Sequence, residues 1–273
     1  MRTNPVKQAL LAGNVVIGSE ISRLRCADIA RIYARAGFDF VFIDMEHTAF
    51  TLETVADMVQ AARTSGIVPL VRVPQAQYDF VARALDAGAR GIIVPRVNTP
   101  GEVEQLVRWM RYPPAGIRGF CCNTAQTGGE PVGIDEFIDA ANRETLLVVQ
   151  IERREAVANL QEMLAIDGVD VACLGFMDLT VDMEIPGQLD HPTAVRAVHK
   201  LIDVADACGV APGIITADMA TIRSWVSRGI RFVSYATDEI LLEQAATESV
   251  ERLRKMSIQN SDNTPVPRKT QSG

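Results

Sequence analysis

Leu146-Leu147-Val148-Val149-Gln150-Ile151-Glu152, an amphipathic stretch over 156–164, and Val169-Asp170-Val171-Ala172-Cys173-Leu174-Gly175 form one strand–helix–strand unit. Both apolar runs are continuous rather than alternating, the pattern of strands buried on two faces in a parallel sheet. Each run also stops on an acid, Glu152 in the first and Asp178 just beyond the second. A carboxylate at a buried strand tip must be solvated, paired or metal-bound to offset its desolvation. Two such acids at the same ends of successive strands predict a shared site for a hard divalent cation.

Outward from this unit the pattern repeats. Strand-like runs rich in β-branched residues fall at 15–17, 38–44, 68–73, 91–96, 211–215 and 231–236. Amphipathic stretches separate them at 22–36, 52–65, 78–87, 100–111, 134–142, 193–208 and 217–228, and a closing helix is expected over 238–255. Eight strands, each followed by helix, within roughly 250 residues predict an α/β fold of the TIM (β/α)8 barrel type. A doubly wound open sheet is the competitor, but no Gly-x-Gly-x-x-Gly follows the first strand. Residues 1–256 read as a single domain, and 257–273, with Pro265 and Pro267, as a disordered polar tail. The Pro-, Gly-, Cys- and Asn-rich segment 112–133 is too long for an ordinary connection and is expected to be a functional loop.

The net charge of −7 argues against nucleic acid as a partner. No run approaches a membrane span, and residues 1–8 lack the apolar core of a signal peptide. Five cysteines without zinc-site spacing suit a reduced cytoplasmic protein, with Cys121-Cys122 expected as packed thiols.

In a barrel of this type the active site lies at the C-terminal strand ends. Those ends supply Asp44, Glu46 and His47 from the second strand, Arg72 from the third, Arg96 from the fourth, Gln150 and Glu152 from the fifth, and Asp178 from the sixth. Thr216 and Ser234 follow from the last two and are chemically weak. Gln150 and Glu152, two apart, share one side of their strand. His47, beside two acids, is a candidate base. A structural Arg72–Glu152 ion pair is the plain alternative, Arg96 reads as structural, and His191 and His199 read as surface residues. The four lysines, Lys7, Lys200, Lys255 and Lys269, avoid the strand ends, which excludes Schiff-base chemistry. No Gly-rich phosphate loop follows the seventh or eighth strand, and no Gly-x-Ser-x-Gly elbow is present.

At these residues the chain resembles the HpcH/HpaI family of metal-dependent (class II) pyruvate aldolases, which act on 4-hydroxy-2-oxoheptanedioate or 2-keto-3-deoxy sugar acids. The likeness is carried by Phe38-Asp-Phe-Val-Phe-Ile-Asp-Met-Glu-His47, Val71-Arg72-Val73-Pro74, Gly88-Ala-Arg-Gly-Ile-Ile-Val-Pro95, Arg111-Tyr-Pro-Pro-Ala-Gly-Ile-Arg-Gly119 and Gln150-Ile-Glu152. It implies Mg²⁺, Mn²⁺ or Co²⁺ on Glu152 and Asp178, with Gln150 beside the metal and Arg72 touching the substrate's keto oxygen. It also implies His47 as the base, acting through a metal-bound water and steadied by Asp86, with backbone amides of Gly175, Phe176 and Met177 on the substrate carboxylate. A homohexamer, a trimer of dimers exchanging the closing helix between subunits, is the implied assembly.

The chain departs from the family where Gly-Pro-x-Asp-Leu-Ser is replaced by Gly175-Phe176-Met177-Asp178-Leu179-Thr180. The expected reaction is metal-dependent cleavage or formation of 4-hydroxy-2-oxo acids, giving pyruvate enolate and an aldehyde. The altered turn keeps open an alternative, decarboxylation of oxaloacetate through the same enolate, with or without carbon–carbon bond formation. A non-catalytic barrel is disfavoured by the intact His47, Arg72, Glu152 and Asp178.

Overall fold

The structure is a computed structural model and describes residues 3–262, with side chains through residue 256. After a short helix α1 (Pro5–Leu11), strands and helices alternate as β1 (Val16–Ile21), α2 (Asp28–Ala36), β2 (Phe40–Asp44), α3 (Leu52–Ser65), β3 (Val68–Arg72), α4 (Tyr78–Asp86), β4 (Gly91–Val94) and α5 (Pro100–Met110). There follow α6 (Thr124–Thr127), α7 (Ile134–Glu144), β5 (Leu146–Ile151), α8 (Arg154–Ala158), α9 (Leu160–Leu164), β6 (Val171–Leu174), α10 (Phe176–Asp182), α11 (Pro192–Ala207), β7 (Ala211–Thr216), α12 (Met219–Val226), β8 (Phe232–Thr237) and α13 (Asp238–Asp262). The strands pair parallel in chain order and close where β1 meets β8. This is the expected TIM barrel.

The barrel interior explains where the chemistry falls. Val16, Phe40, Phe42, Val68, Leu70, Ile93, Leu146, Val148, Val171, Cys173, Ala211 and Phe232 form one buried cluster. The rings of Phe40 and Phe232 stack with centroids 4.4 Å apart. Gly18 makes room for them, since a Cβ there would collide with the Phe40 ring. Side chains on a strand alternate between faces. The next inward positions toward the C-terminal ends are therefore Glu20, Asp44, Arg72 and Gln150. At the other end Val6 and Leu10 of α1 join the cluster from below. Asn4, fully buried, donates to the carbonyls of Arg90 and Glu144, and Lys7 pairs with Asp170 at 2.9 Å.

Several expected boundaries move. The first strand, expected at 15–17, continues through Ile21 and carries Glu20. The helix expected from residue 22 starts at Asp28. The amides of Ser22, Arg23 and Leu24 are instead taken by the buried Asp238 carboxylate. The helix expected over 156–164 is two short ones that meet at Asn159, whose amide donates to the Asn98 carbonyl. The segment 112–133 contains α6 and lies against the ends of α3 and α4, where Gln60 and Arg63 donate to the carbonyls of Ala125 and Gln126. Because each helix returns antiparallel to its strand, those ends face away from Glu152. Residues 257–262, expected as tail, continue α13; residues 263–273 lie outside the described residues.

The chain divides into a compact unit, Met1–Asp238, and a second unit from Glu239 onward, whose described part is helical. No described helix is long and apolar enough to cross a membrane. All five cysteines are free: Cys173 is buried, Cys26 and Cys122 are exposed, and Cys121 and Cys208 are partly buried.

Candidate active site

Arg72 is the centre of the barrel mouth. Its Nε donates to Asp44 Oδ1 at 2.7 Å and its Nη2 to Glu20 Oε1 at 3.2 Å. Glu46 Oε2 lies 3.6 Å from Nε, and the guanidinium sits 5.2 Å from the centre of the Phe42 ring. The partners of Arg72 are thus three acids, Glu20 of β1, Asp44 of β2 and Glu46 just beyond it, and not Glu152 as in the alternative ion-pair reading. Burial alone would lower the Arg72 pKa, but the Asp44 hydrogen bond and the charges of Glu20, Asp44 and Glu46 raise it, so the group is permanently cationic. Asp44 is spent locally: it also accepts from the amides of Glu46 and His47, which fixes the chain as it leaves the strand.

The fifth and sixth strands supply the second half of the mouth. Glu152 Oε2 accepts from the Arg96 amide at 3.1 Å. Its other side packs on Gly175, where a Cβ would collide with its Cγ and carboxyl. Burial, and then the charges of Glu46 and Asp178, push the Glu152 carboxyl up to about 7. Asp178 stands in the first turn of α10. The altered Gly175–Thr180 turn becomes the start of that helix, with Phe176 buried and Met177 exposed. Gln150 is buried with Oε1 lacking a hydrogen bond, as is Glu46 Oε2. Cys173 lies below; burial, and then Glu152, hold its thiol far above the ordinary range, so it is no nucleophile.

His47 presents its ring to solvent, 60% exposed, with Nε2 3.5 Å from Glu46 Oε2. Asp86 is not brought to it in the single chain: at the far end of α4 it accepts from Arg118 and Gln126. His191 caps α11 through Nδ1, and His199 packs on Trp225.

Two participants escaped the sequence reading. Glu20 was hidden by the shortened first strand. Arg96, read as structural, holds a left-handed backbone (φ 55°), pairs with Glu46 Oε1 at 3.0 Å and offers its amide to Glu152. The only signal for Arg96 was its position at the end of the fourth apolar run, two residues past β4.

A cavity of about 920 Å³ opens at the opposite end of the barrel, lined by Lys7, Arg111 and Asp170 among others. It contains none of the mouth residues.

Fold and site together define a TIM-barrel enzyme whose mouth is crowded with carboxylates around one buried arginine. Residues 22–245 match the HpcH/HpaI aldolase/citrate lyase family, and the chain belongs to that family, an aldolase-class lyase. It is 34% identical over 241 residues to a hydroxypyruvate/pyruvate aldolase of Roseobacter denitrificans, covering 88% of this chain and 93% of that protein. It is 35% identical over 243 residues to a 4-hydroxy-2-oxo-heptane-1,7-dioate aldolase of Shigella sonnei, covering 89% and 92%. The crystal structure of an HpcH/HpaI aldolase from Desulfitobacterium hafniense superposes with a TM-score of 0.85 at 34% identity, covering 91% of this chain and 96% of that one.

Proposed function

We propose that this protein cleaves and forms 4-hydroxy-2-oxo acids, interconverting them with pyruvate and an aldehyde, with Mg²⁺, Mn²⁺ or Co²⁺ as cofactor. The observation that carries this reading is the cationic Arg72 clamped beside the Glu152 and Asp178 carboxylates. The donor set suits a hard ion: Glu152 and Asp178 offer carboxylate oxygens, the buried Gln150 Oε1 has no hydrogen-bond partner, and burial, then the charges of Glu46 and Asp178, oppose ionisation of Glu152. Among the described residues no three His, Cys, Asp or Glu side chains gather as a complete cluster, so Glu152 and Asp178 would hold the ion with most positions left to oxygens of substrate or water. When bound, such an ion supplies Lewis acidity to the carbonyl of a 2-oxo acid.

The chain's own residues do the rest. Arg72 places fixed positive charge where the enolate oxygen develops, and its acid clamp removes the cost of orienting it during reaction. The Gly175–Met177 backbone is the carboxylate contact in this reading. His47 takes the proton from the C4 hydroxyl in the cleavage direction, and Glu46 at 3.5 Å stabilises the imidazolium so formed. Asp86, engaged inside its own chain, would reach a histidine only of a neighbouring subunit. A homo-oligomer exchanging the last helix agrees with Leu242, Leu253 and Met256 of α13, which are exposed. Decarboxylation of oxaloacetate has less support, because the two curated relatives described above are named as aldolases.

The test is deuterium exchange into the pyruvate methyl group, followed by NMR with and without Mn²⁺, alongside aldol formation with added aldehyde. Exchange should require the metal and vanish in Glu152→Gln and Asp178→Asn, with Mn²⁺ binding lost by calorimetry. Undiminished exchange in either variant would remove the two acids from the site. Faster release of carbon dioxide from oxaloacetate than of pyruvate from a 4-hydroxy-2-oxo acid would favour the decarboxylase.

A further inference from the structure

Glu20 is the inward residue at the top of β1, after Val16 and Gly18 on the same face. Three other acids share this side of the mouth, and all are engaged. Asp44 is taken by two amides and Arg72, Asp238 by the amides of Ser22, Arg23 and Leu24, and Glu46 by Arg96, Arg72 and His47. Glu20 spends one oxygen, Oε1, on Arg72 Nη2. Its Oε2 has no hydrogen-bond partner among the described residues and is not sealed from the mouth. That oxygen is free to accept from water or from a ligand donor that displaces it.

Its place in the barrel says which ligand. In the closed order β1 lies diametrically opposite β5, whose end carries Glu152. An oxo acid gripped at Glu152 and Asp178 with its keto oxygen at Arg72 occupies the β5–β6–β3 side. Its methyl carbon, where the new bond forms, then points across the mouth, and the aldehyde must sit on the β1–β2 side. Glu20 is one guanidinium away from the keto-oxygen position.

We propose that Glu20 is the specificity residue for the aldehyde partner. Its carboxyl accepts a hydrogen bond from a hydroxyl on the carbon next to the aldehyde group, so short hydroxylated aldehydes are preferred over alkyl ones. This rests on the lyase reading above.

The test compares glycolaldehyde with propionaldehyde, which replaces the hydroxyl by a methyl group of similar size, each with pyruvate and Mn²⁺. The readout is the ratio of the two kcat/KM values, in wild type, Glu20→Gln and Glu20→Leu. A hydrogen bond to an acidic group commonly carries about ten- to a hundredfold in such discrimination. Glu20→Leu should therefore lower the glycolaldehyde preference by about tenfold or more, and Glu20→Gln, which keeps a neutral acceptor, by less. Glu20 also holds Arg72, so both rates can fall, but that loss is common to the two aldehydes and cancels in the ratio. If both fall together with the ratio unchanged, Glu20 merely positions Arg72 and the proposal is overturned. Should Glu20→Leu fail to fold by circular dichroism, a threefold or greater drop in Glu20→Gln supports the proposal and an unchanged ratio overturns it. Failure of the lyase reading looks different: wild type would show neither methyl-proton exchange on pyruvate nor product with either aldehyde.

Discussion

Replacing Glu20 by glutamine should make the protein more stable, and by an amount that grows with pH. The Glu20 carboxyl is pushed from 4.5 up to about 7, first by burial, then by Asp44, Asp238 and Glu46, with Arg72 pulling the other way. That displacement corresponds to about 3 kcal/mol against the ionised form once both states are fully ionised. The folded pKa lies above the unfolded one, so between the two values the native state binds more protons. Stability therefore falls as pH rises through this window, and the loss is complete above the folded pKa. Glutamine carries no charge, and its Oε1 can still accept from Arg72 Nη2. The variant should thus exceed wild type by about 1 kcal/mol near pH 5 and by about 3 kcal/mol near pH 8.

Urea unfolding followed by circular dichroism, with chelator present throughout, measures the gap at both pH values. Glu152 contributes its own slope in the same direction, but equally to both proteins, and cancels in the difference. A gap of the same size at pH 5 and pH 8, or a variant less stable than wild type at pH 8, would refute burial as the cause. In the second case the Arg72 pairing outweighs desolvation.

Three further outcomes follow from the geometry. Arg72→Lys should lower methyl-proton exchange of pyruvate by about a hundredfold or more, because an ammonium cannot keep both the Asp44 and Glu20 contacts while facing substrate; a rate within threefold of wild type would take the guanidinium out of the mechanism. Gly175→Ala should weaken Mn²⁺ binding by calorimetry at least tenfold while the far-ultraviolet spectrum stays native, since the new methyl group displaces Glu152; unaltered affinity would show that Glu152 has room to move. Phe232→Ala should cost about 3–5 kcal/mol in urea unfolding by removing the ring stacked on Phe40; a loss below about 1 kcal/mol would mean the barrel floor collapses to refill the space.

The barrel was readable because its strands are buried on both faces and so carry nearly continuous apolar runs, as 146–151 does with Gln150 its one polar residue. Glu152 stands out for the complementary reason, that it ends such a run, whereas Asp178 lies past its run in the first turn of α10. The first strand was misjudged because Gly18-Ser19-Glu20 does not look apolar. Each of the three has a tertiary cause: Gly18 clears the Phe40 ring, Ser19 donates to the Ala236 carbonyl, and Glu20 binds Arg72. Nothing within a few residues of position 20 announces those partners. The same holds for Asp238, whose amide partners lie more than 200 positions away. Helix α1 did have a local signal, an Asn4 cap followed by Pro5, but its seven residues are too few for a periodic pattern.

The inward face of the barrel changes character in a single step on four strands: Gly18 to Glu20, Phe42 to Asp44, Leu70 to Arg72 and Val148 to Gln150. The charged layer therefore rests directly on a dry, close-packed one, and Arg72 lies against the Phe42 ring beneath it. Apolar matter on one side strengthens every electrostatic interaction in the layer. It also makes ionisation of neighbouring acids costly, and both Glu20 and Glu152 are pushed up to about 7. A mouth built for stability alone would have continued the apolar series by one more residue. Placing acids there instead, around a single guanidinium, leaves neighbouring carboxyls that resist ionising together, and this cost, set by the dry layer beneath them, supports the cation chemistry proposed at the barrel's top.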